Sequence, residues 1–205
     1  MFVLTKTLSN RWQGQFSYVW SESEGNVGNA GRSGFGGTTF RNPNNVLVNA
    51  YGTMEYDRPH EFKLMGGYTV PKIEVALNAY YRAISGYTYT PVANVSGSSS
   101  VLNWTGSINV SLEPRGSQRM DMQHIVDFRA EKEFKVDVHK FGVYFDVMNL
   151  FNNGVITGVQ TRVPDRSITY YDEQLGASTS QRVKYRSPTS VLSPVQLTVG
   201  ARWSF

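Results

Sequence analysis

The 205-residue chain contains no cysteine. Disulfides and thiolate metal sites are therefore excluded. No apolar run approaches the ~20 residues that a membrane-crossing helix needs. Helical spans are excluded, but a β-barrel is not, because its strands are only half apolar. No basic-then-apolar segment opens the chain, so no signal peptide is expected within it. That leaves a cytoplasmic protein or a piece of a longer chain. The net charge of +4 comes from scattered Lys and Arg. Without a basic stripe to track phosphates, nucleic acid is not an expected partner. His60, His124 and His139 lack metal-ligand spacing. The glycine run from Gly25 to Gly37 lacks the Gly-Lys-Ser/Thr ending of a phosphate loop. No metal, cofactor or enzymatic activity is expected.

What the chain has is aromatic side chains: 12 Tyr, 11 Phe and 4 Trp. These residue types favour strands. The stretch 195–205 shows the pattern most clearly. Val195, Leu197, Val199, Ala201, Trp203 and Phe205 share one face, and Gln196, Thr198, Gly200, Arg202 and Ser204 the other. A period of two belongs to an extended strand. Its length matches the ~9–11 residues of a bilayer-crossing strand. Aromatic rings at its end suit a membrane interface.

The same alternation recurs upstream. A short β-prone run over 1–7 is followed by a turn candidate at Leu8–Arg11 and a strand over 12–21. Strands are expected over 61–70 and 73–81, split by a two-residue break at Pro71-Lys72. Two more are expected over 124–134 and 141–147, around a polar turn at 135–140. On 124–134, Val126, Phe128, Ala130 and Phe134 oppose Asp127, Arg129, Glu131 and Glu133. Lys132 breaks the apolar face where a long stem can snorkel. The acidic and basic residues there make an inner wall rather than acid/base machinery.

Between the strands, the segments 22–60, 83–121 and 149–193 are long and without periodicity, rich in Gly, Ser, Asn and Pro, with short strands above the membrane expected within 83–121. In a compact soluble domain, structureless loops beyond ~15 residues are uncommon. On the outer side of a membrane barrel they are ordinary. Short turns and long loops alternate strictly, so all short turns fall on one side. The expected fold is all-β: an antiparallel transmembrane β-barrel portion of about seven strands, with short periplasmic turns and long extracellular loops. The expected location is the cell outer membrane, with lipid as a partner. A small self-closing outer-membrane barrel and a soluble β-barrel binding a small apolar ligand are the alternatives.

Several motifs carry a resemblance. Asp146, Asn149, Leu150, Phe151 and Asn152 match an Asp-x-x-Asn-Leu-Phe-Asn pattern. It resembles the end of the penultimate strand of TonB-dependent outer-membrane receptors. The last strand, with Leu197, Val199, Trp203 and Phe205, resembles that family's C-terminal assembly signal. Asp57-Arg-Pro-His60 and Ser85-Gly-Tyr-Thr-Tyr89 are similar to its Oar-like branch. The resemblance implies the C-terminal part of a receptor barrel spanning 1–205, for uptake of a ligand. It implies partners too: the barrel-assembly machinery, the rest of the barrel with its plug, and through them TonB. No plug domain is expected in this chain, and alone it is not expected to transport. Tyr87, Tyr89, Trp104, Tyr170 and Tyr171 fall in outer loops and are candidate ligand contacts. The Asn-Leu-Phe-Asn element is expected to be structural, since Asn tolerates left-handed backbone and makes local bonds. Three glycosylation sequons, at Asn94, Asn103 and Asn109, are read as chance matches.

Overall fold

The computed structural model describes residues 1–25, 48–96, 107–163, 166–172 and 177–204. Phe205, Trp104, Asn103 and the glycines from Gly28 to Gly37 lie outside the described residues. One sheet of seven strands organises the chain. Its strands are β1 (Phe2–Ser9), β2 (Trp12–Trp20), β3 (His60–Val70) and β4 (Val75–Ile84). β5 (Gln123–Val136), β6 (His139–Met148) and β7 (Gln196–Ser204) complete it. They lie side by side in chain order, every neighbouring pair antiparallel.

The register aligns the sequence's alternation across the whole sheet. Trp12, Tyr68, Leu77, Ala130, Phe145 and Val199 stand opposite one another in turn on one face. One residue along, Gln13, Gly67, Asn78, Arg129, Asp146 and Thr198 do the same on the other. Directly opposed residues share a face, so six strands agree on which side is apolar. The apolar side is bare: Leu197 is 66% exposed, Val199 72% and Trp203 60%. The polar side is concave. It encloses a recess of about 720 Å³ lined by Gln13, Gln15, Asn78, Asp127, Arg129 and Asp146, among others. A soluble ligand-binding barrel has the opposite polarity, with apolar side chains inside. The soluble alternative is therefore wrong: this apolar face looks outward and needs an apolar surrounding.

All three short connections lie at one end. Asn10 and Arg11 both take positive φ, 51° and 67°. That is the type I′ geometry matching the right-handed twist of the flanking strands. β1 accordingly runs two residues further than expected, to Ser9. The break after β3 is four residues, Pro71–Glu74, closed by Glu74 at φ 51° and a Glu74 N–H bond to the Val70 carbonyl. Ile73 sits in this turn, 56% exposed, rather than on a strand. The expected polar turn at 135–140 shrinks to Asp137-Val138, because Lys135↔Lys140 and Val136↔His139 pair across it. Lys132 snorkels as expected, its Nζ donating to the Ile73 carbonyl.

The long segments occupy the other end, and there the buried residues gather. Ala83, Ile84, Gln123 and Ile125 close the ends of β4 and β5. Met54, Asp57, Ser85, Thr88 and Tyr89 cover them from the loops. Each long segment contains paired strands: those within 83–121 match the short strands expected there, and those of the first and third segments were not expected. Among the described residues, the outer edges of β1 and β7 carry no strand partner.

The two faces make unequal predictions for one substitution. In the full-length protein refolded in detergent, Val199→Arg is expected to cost about 2–4 kcal/mol, the lipid-face value near mid-membrane. Thr198→Arg, facing Asp146 on the polar side, is expected to cost under about 1 kcal/mol. Urea unfolding followed by tryptophan fluorescence checks this; equal losses would refute the assignment of faces.

Candidate functional site

The three long segments meet as one layer over the end of the sheet. In the first, Glu24–Gly25 pairs with Gly52–Thr53. In the second, Thr88–Tyr89 pairs with Gln118–Arg119, and Val92–Ser96 with Ser107–Ser111. In the third, Ile156–Val159 pairs with Pro188–Val191, and Arg166–Asp172 with Ala177–Val183. The segments are also stitched to each other. Arg162–Val163 runs parallel to Val92–Ala93, and the Thr53 N–H donates to the Arg115 carbonyl at 3.1 Å. Loop backbone that would otherwise need water finds partners within this layer.

The Asp57–His60 and Ser85–Tyr89 motifs dock onto one another at the base of the layer. The Arg58 Nε donates to the Ser85 carbonyl at 2.7 Å, and its guanidinium lies 4.4 Å over the Tyr87 ring. His60 and Ser85 exchange two bonds: His60 N–H to Ser85 Oγ at 3.2 Å, and Ser85 N–H to the His60 carbonyl at 2.9 Å. Arg119 locks the pair from a third strand. It donates to the Asp57 carboxylate at 2.6 Å, to the Asp57 carbonyl at 2.8 Å and to the Gly86 carbonyl at 2.9 Å. The second Asp57 carboxylate oxygen accepts the Ser23 N–H at 2.8 Å. Bonds to charged groups contribute about 1.5–3 kcal/mol each, so this latch outweighs an exposed ion pair. Gly86 is required here, since a Cβ would collide with the Met120 and Asp121 carbonyls. Burial is the main cause that holds the Arg58 pKa below the usual guanidinium value, partly offset by Tyr87. Farther out, Ser117 and Gln118 donate to Glu113 and keep its carboxyl below the usual range.

A second clamp ties β5, β6 and β7 together. Asn149 is buried, with φ 51°. Its amide donates to the Asn153 and Ser193 carbonyls at 3.2 and 2.8 Å and accepts the Asn153 N–H at 2.9 Å. Its own N–H donates to the Asp127 carboxylate at 2.9 Å. Asn152 repeats the left-handed turn at φ 50° and accepts the Val195 N–H. Asn149 and Asn152 of the Asn-Leu-Phe-Asn element take the left-handed backbone and the local bonds that their residue type implied. Phe151, 75% exposed, and Leu150 project outward from it.

On the concave face, Arg129 grips Asp146 with two bonds of 2.6 and 2.7 Å. Arg202 reaches Glu131 at 2.7 Å and Glu133 at 3.9 Å. The inner-wall charges thus pair across strands. On the outer face, His60 and His124 each meet a tyrosine hydroxyl, from Tyr18 at 3.0 Å and Tyr81 at 2.9 Å. These pairs form an interfacial ring near the loops. No group of metal ligands occurs among the described residues.

Of the candidate ligand contacts, Tyr89 is buried and unavailable to a ligand, because it belongs to the packed base of the layer. Tyr87 is half-exposed but covered on one side by Arg58. Tyr170 and Tyr171 pair in backbone with Thr179 and Ser178. Trp104 lies outside the described residues, as does Phe205 of the closing pattern. Leu197, Val199 and Trp203 are on the apolar face, Trp203 stacked on Phe141 at 6.2 Å. The sequence reading missed Arg119 and the Asp57 latch. Only the motif at Asp57–His60 signalled the place, and nothing local pointed to its partner 62 residues away.

Residues 1–101 match a family model described as an outer membrane beta barrel domain. No curated protein and no solved structure matches the chain. With the apolar convex face and the polar recess, this match makes the sheet part of an antiparallel β-barrel wall in the cell outer membrane. The turns are then periplasmic and the layer extracellular.

Removing the Asn149 amide should loosen the extracellular ends of β5–β7. Asn149→Ala in the full-length protein is expected to lose about 2–3 kcal/mol, from several buried hydrogen bonds. Asn149→Asp keeps the acceptor for the Asn153 N–H but sets a charged oxygen against the Asn153 and Ser193 carbonyls, so it should lose at least as much. Urea midpoints and proteolysis at the loop base measure both; an unchanged Asn149→Ala midpoint would show that the clamp contributes nothing.

Proposed function

We propose that the chain is the C-terminal barrel segment of a TonB-dependent outer-membrane receptor, which takes up a ligand and does not transport when this segment stands alone. Strand direction carries the reading. β1 and β7 both run from the loop end to the turn end. Joined edge to edge they would form a parallel pair. Bacterial single-chain barrels are antiparallel with even strand numbers. A second copy in the same membrane orientation offers only edges running the same way. Antiparallel closure thus needs an odd number of further strands, the outermost two running opposite to β1 and β7. Open edges in lipid are untenable, because unpaired backbone groups there find no water. A longer barrel supplies such strands; a small self-closing barrel of these seven does not.

The interlocked Asp57–His60 and Ser85–Tyr89 motifs, and the Asn149 clamp, support the same reading through the resemblance they carry. On it, the chain forms wall and mouth of the uptake path and has no catalytic role. The plug belongs to the rest of the receptor, and through it TonB energises uptake. Leu197, Val199, Trp203 and Phe205 serve as the tail read by the barrel-assembly machinery. An edge strand with an aromatic end can pair by β-augmentation before the barrel closes.

Two outcomes test this. The 205-residue chain refolded alone should give no heat-modifiable, closed monomer. A monomeric barrel that conducts across a planar bilayer would overturn the segment reading in favour of a small self-closing barrel. Deleting Phe205 from the full-length receptor should lower assembly in cells while leaving refolding in detergent nearly unchanged; normal assembly in cells would remove the signal role.

A further inference from the structure

The loop end of the polar face holds more cation than its carboxylates neutralise. Arg82 lies on β4 between Lys63 of β3 and Ile125 of β5. Arg58 lies just before β3, anchored to Ser85 and Tyr87. The carboxylates nearby, of which Glu61 also attracts Arg58, each bond another cation. Glu61 pairs with Lys63 at 2.9 Å, and Asp57 with Arg119 at 2.6 Å. Asp127, farther down the same face, holds the Asn149 N–H. Arg58 also bonds the Tyr87 side chain, but among the described residues its Nη2 and the Nε of Arg82 are buried and have no hydrogen-bond acceptor. A buried N–H of a charged group without an acceptor is costly. Two such groups together, each repelling the other, are rare in a settled structure unless something negative joins them.

We propose that Arg58 and Arg82 form a subsite for a small oxyanion, a phosphate or carboxylate group, at the extracellular end of the polar face. Guanidinium groups fit both anions, offering paired N–H donors in a fixed plane. The Arg58 Nε bond to Ser85 and its stacking on Tyr87 set the direction of that plane before the anion arrives, which reduces the ordering cost of binding. Burial lowers the Arg58 pKa and the like charge of Arg82 pushes the same way, with Tyr87 and Glu61 offsetting part of it; an anion beside the two arginines adds to that offset. The neighbouring Ile84 and Ile125 are buried, so water competes weakly and the attraction is strengthened. This site is built from the chain's own residues and stands whether or not the barrel belongs to a TonB-dependent receptor.

The test uses the full-length protein refolded in detergent, with inorganic phosphate as the probe and chloride at equal ionic strength as the control. Calorimetry should show saturable phosphate binding, and phosphate should raise the urea midpoint. Arg82→Met removes a guanidinium whose Nε is buried without an acceptor. It should unfold no earlier than the parent in chloride, while its phosphate affinity falls by about tenfold or more, the weight of one charge-assisted bond. Arg58→Lys keeps the charge but loses the bond from Nε to Ser85, and the same weakening is expected. Absence of saturable phosphate binding to the parent, or parental affinity in both variants, would overturn the proposal. So would a destabilised Arg82→Met with an intact phosphate response, which would give Arg82 a structural role only.

Discussion

The antiparallel register through Arg129 and Asp146 is the constraint on which the wall depends. These residues stand directly opposite each other on β5 and β6 and join by two short bonds on the concave face. A slip of one residue would turn both charges toward lipid and every apolar neighbour toward water. The pair is partly open to the recess, so its value lies less in net stability than in excluding the shifted pairings. Around it the pleat is fitted by size. Gly200 lies beneath the Tyr144 ring on the neighbouring strand, where a side chain would collide with it. Arg129 lies 4.9 Å over the same tyrosine ring.

An outward apolar face changes where a protein keeps its own core. In this sheet lipid provides the apolar surrounding, so side chains such as Leu197 and Val199 are bare of protein contacts on their outer side. Protein-on-protein burial is displaced to the extracellular end, over Ala83, Ile84 and Ile125. There the problem is polar. Three long segments bring many backbone N–H and C=O groups out of water, and each needs a partner. Strand pairing within the layer satisfies most of them. Arg119 and Asn149 satisfy the irregular remainder, each reaching two or more carbonyls.

Much of the wall could be read from residue order, and the reason is local. Val143, Phe145 and Val147 alternate with Gly142, Tyr144 and Asp146 because each successive Cβ in a strand points the other way. The errors fell where local chemistry decides one or two residues. Glu74 and Asp137 adopt left-handed backbone that neither residue type announces strongly, so the turns at Pro71–Glu74 and Asp137-Val138 were misjudged in length. The loop strands outside 83–121 and the pairings between loops were missed for a different cause. Pairings such as Arg162↔Val92 join segments far apart in the chain, and short strands of mixed composition leave no periodic trace.

The sequence by itself determined the number of wall strands, their two faces, and the alternation of short turns with long segments. All three follow from a two-residue period and from turn-forming residues, which are properties of neighbours in the chain. It also determined that Asn149 and Asn152 would turn the backbone and bond locally. The polar face is already legible in the sequence as the inner wall; only the tertiary structure curved it around a recess of about 720 Å³, because curvature belongs to the whole sheet and to no single strand. Only it brought Arg119 to Asp57, buried Tyr89, and left one guanidinium nitrogen each of Arg58 and Arg82 without an acceptor among the described residues. Those contacts link residues on different strands and loops, and their energies come from burial and charge that exist only once the segments have met.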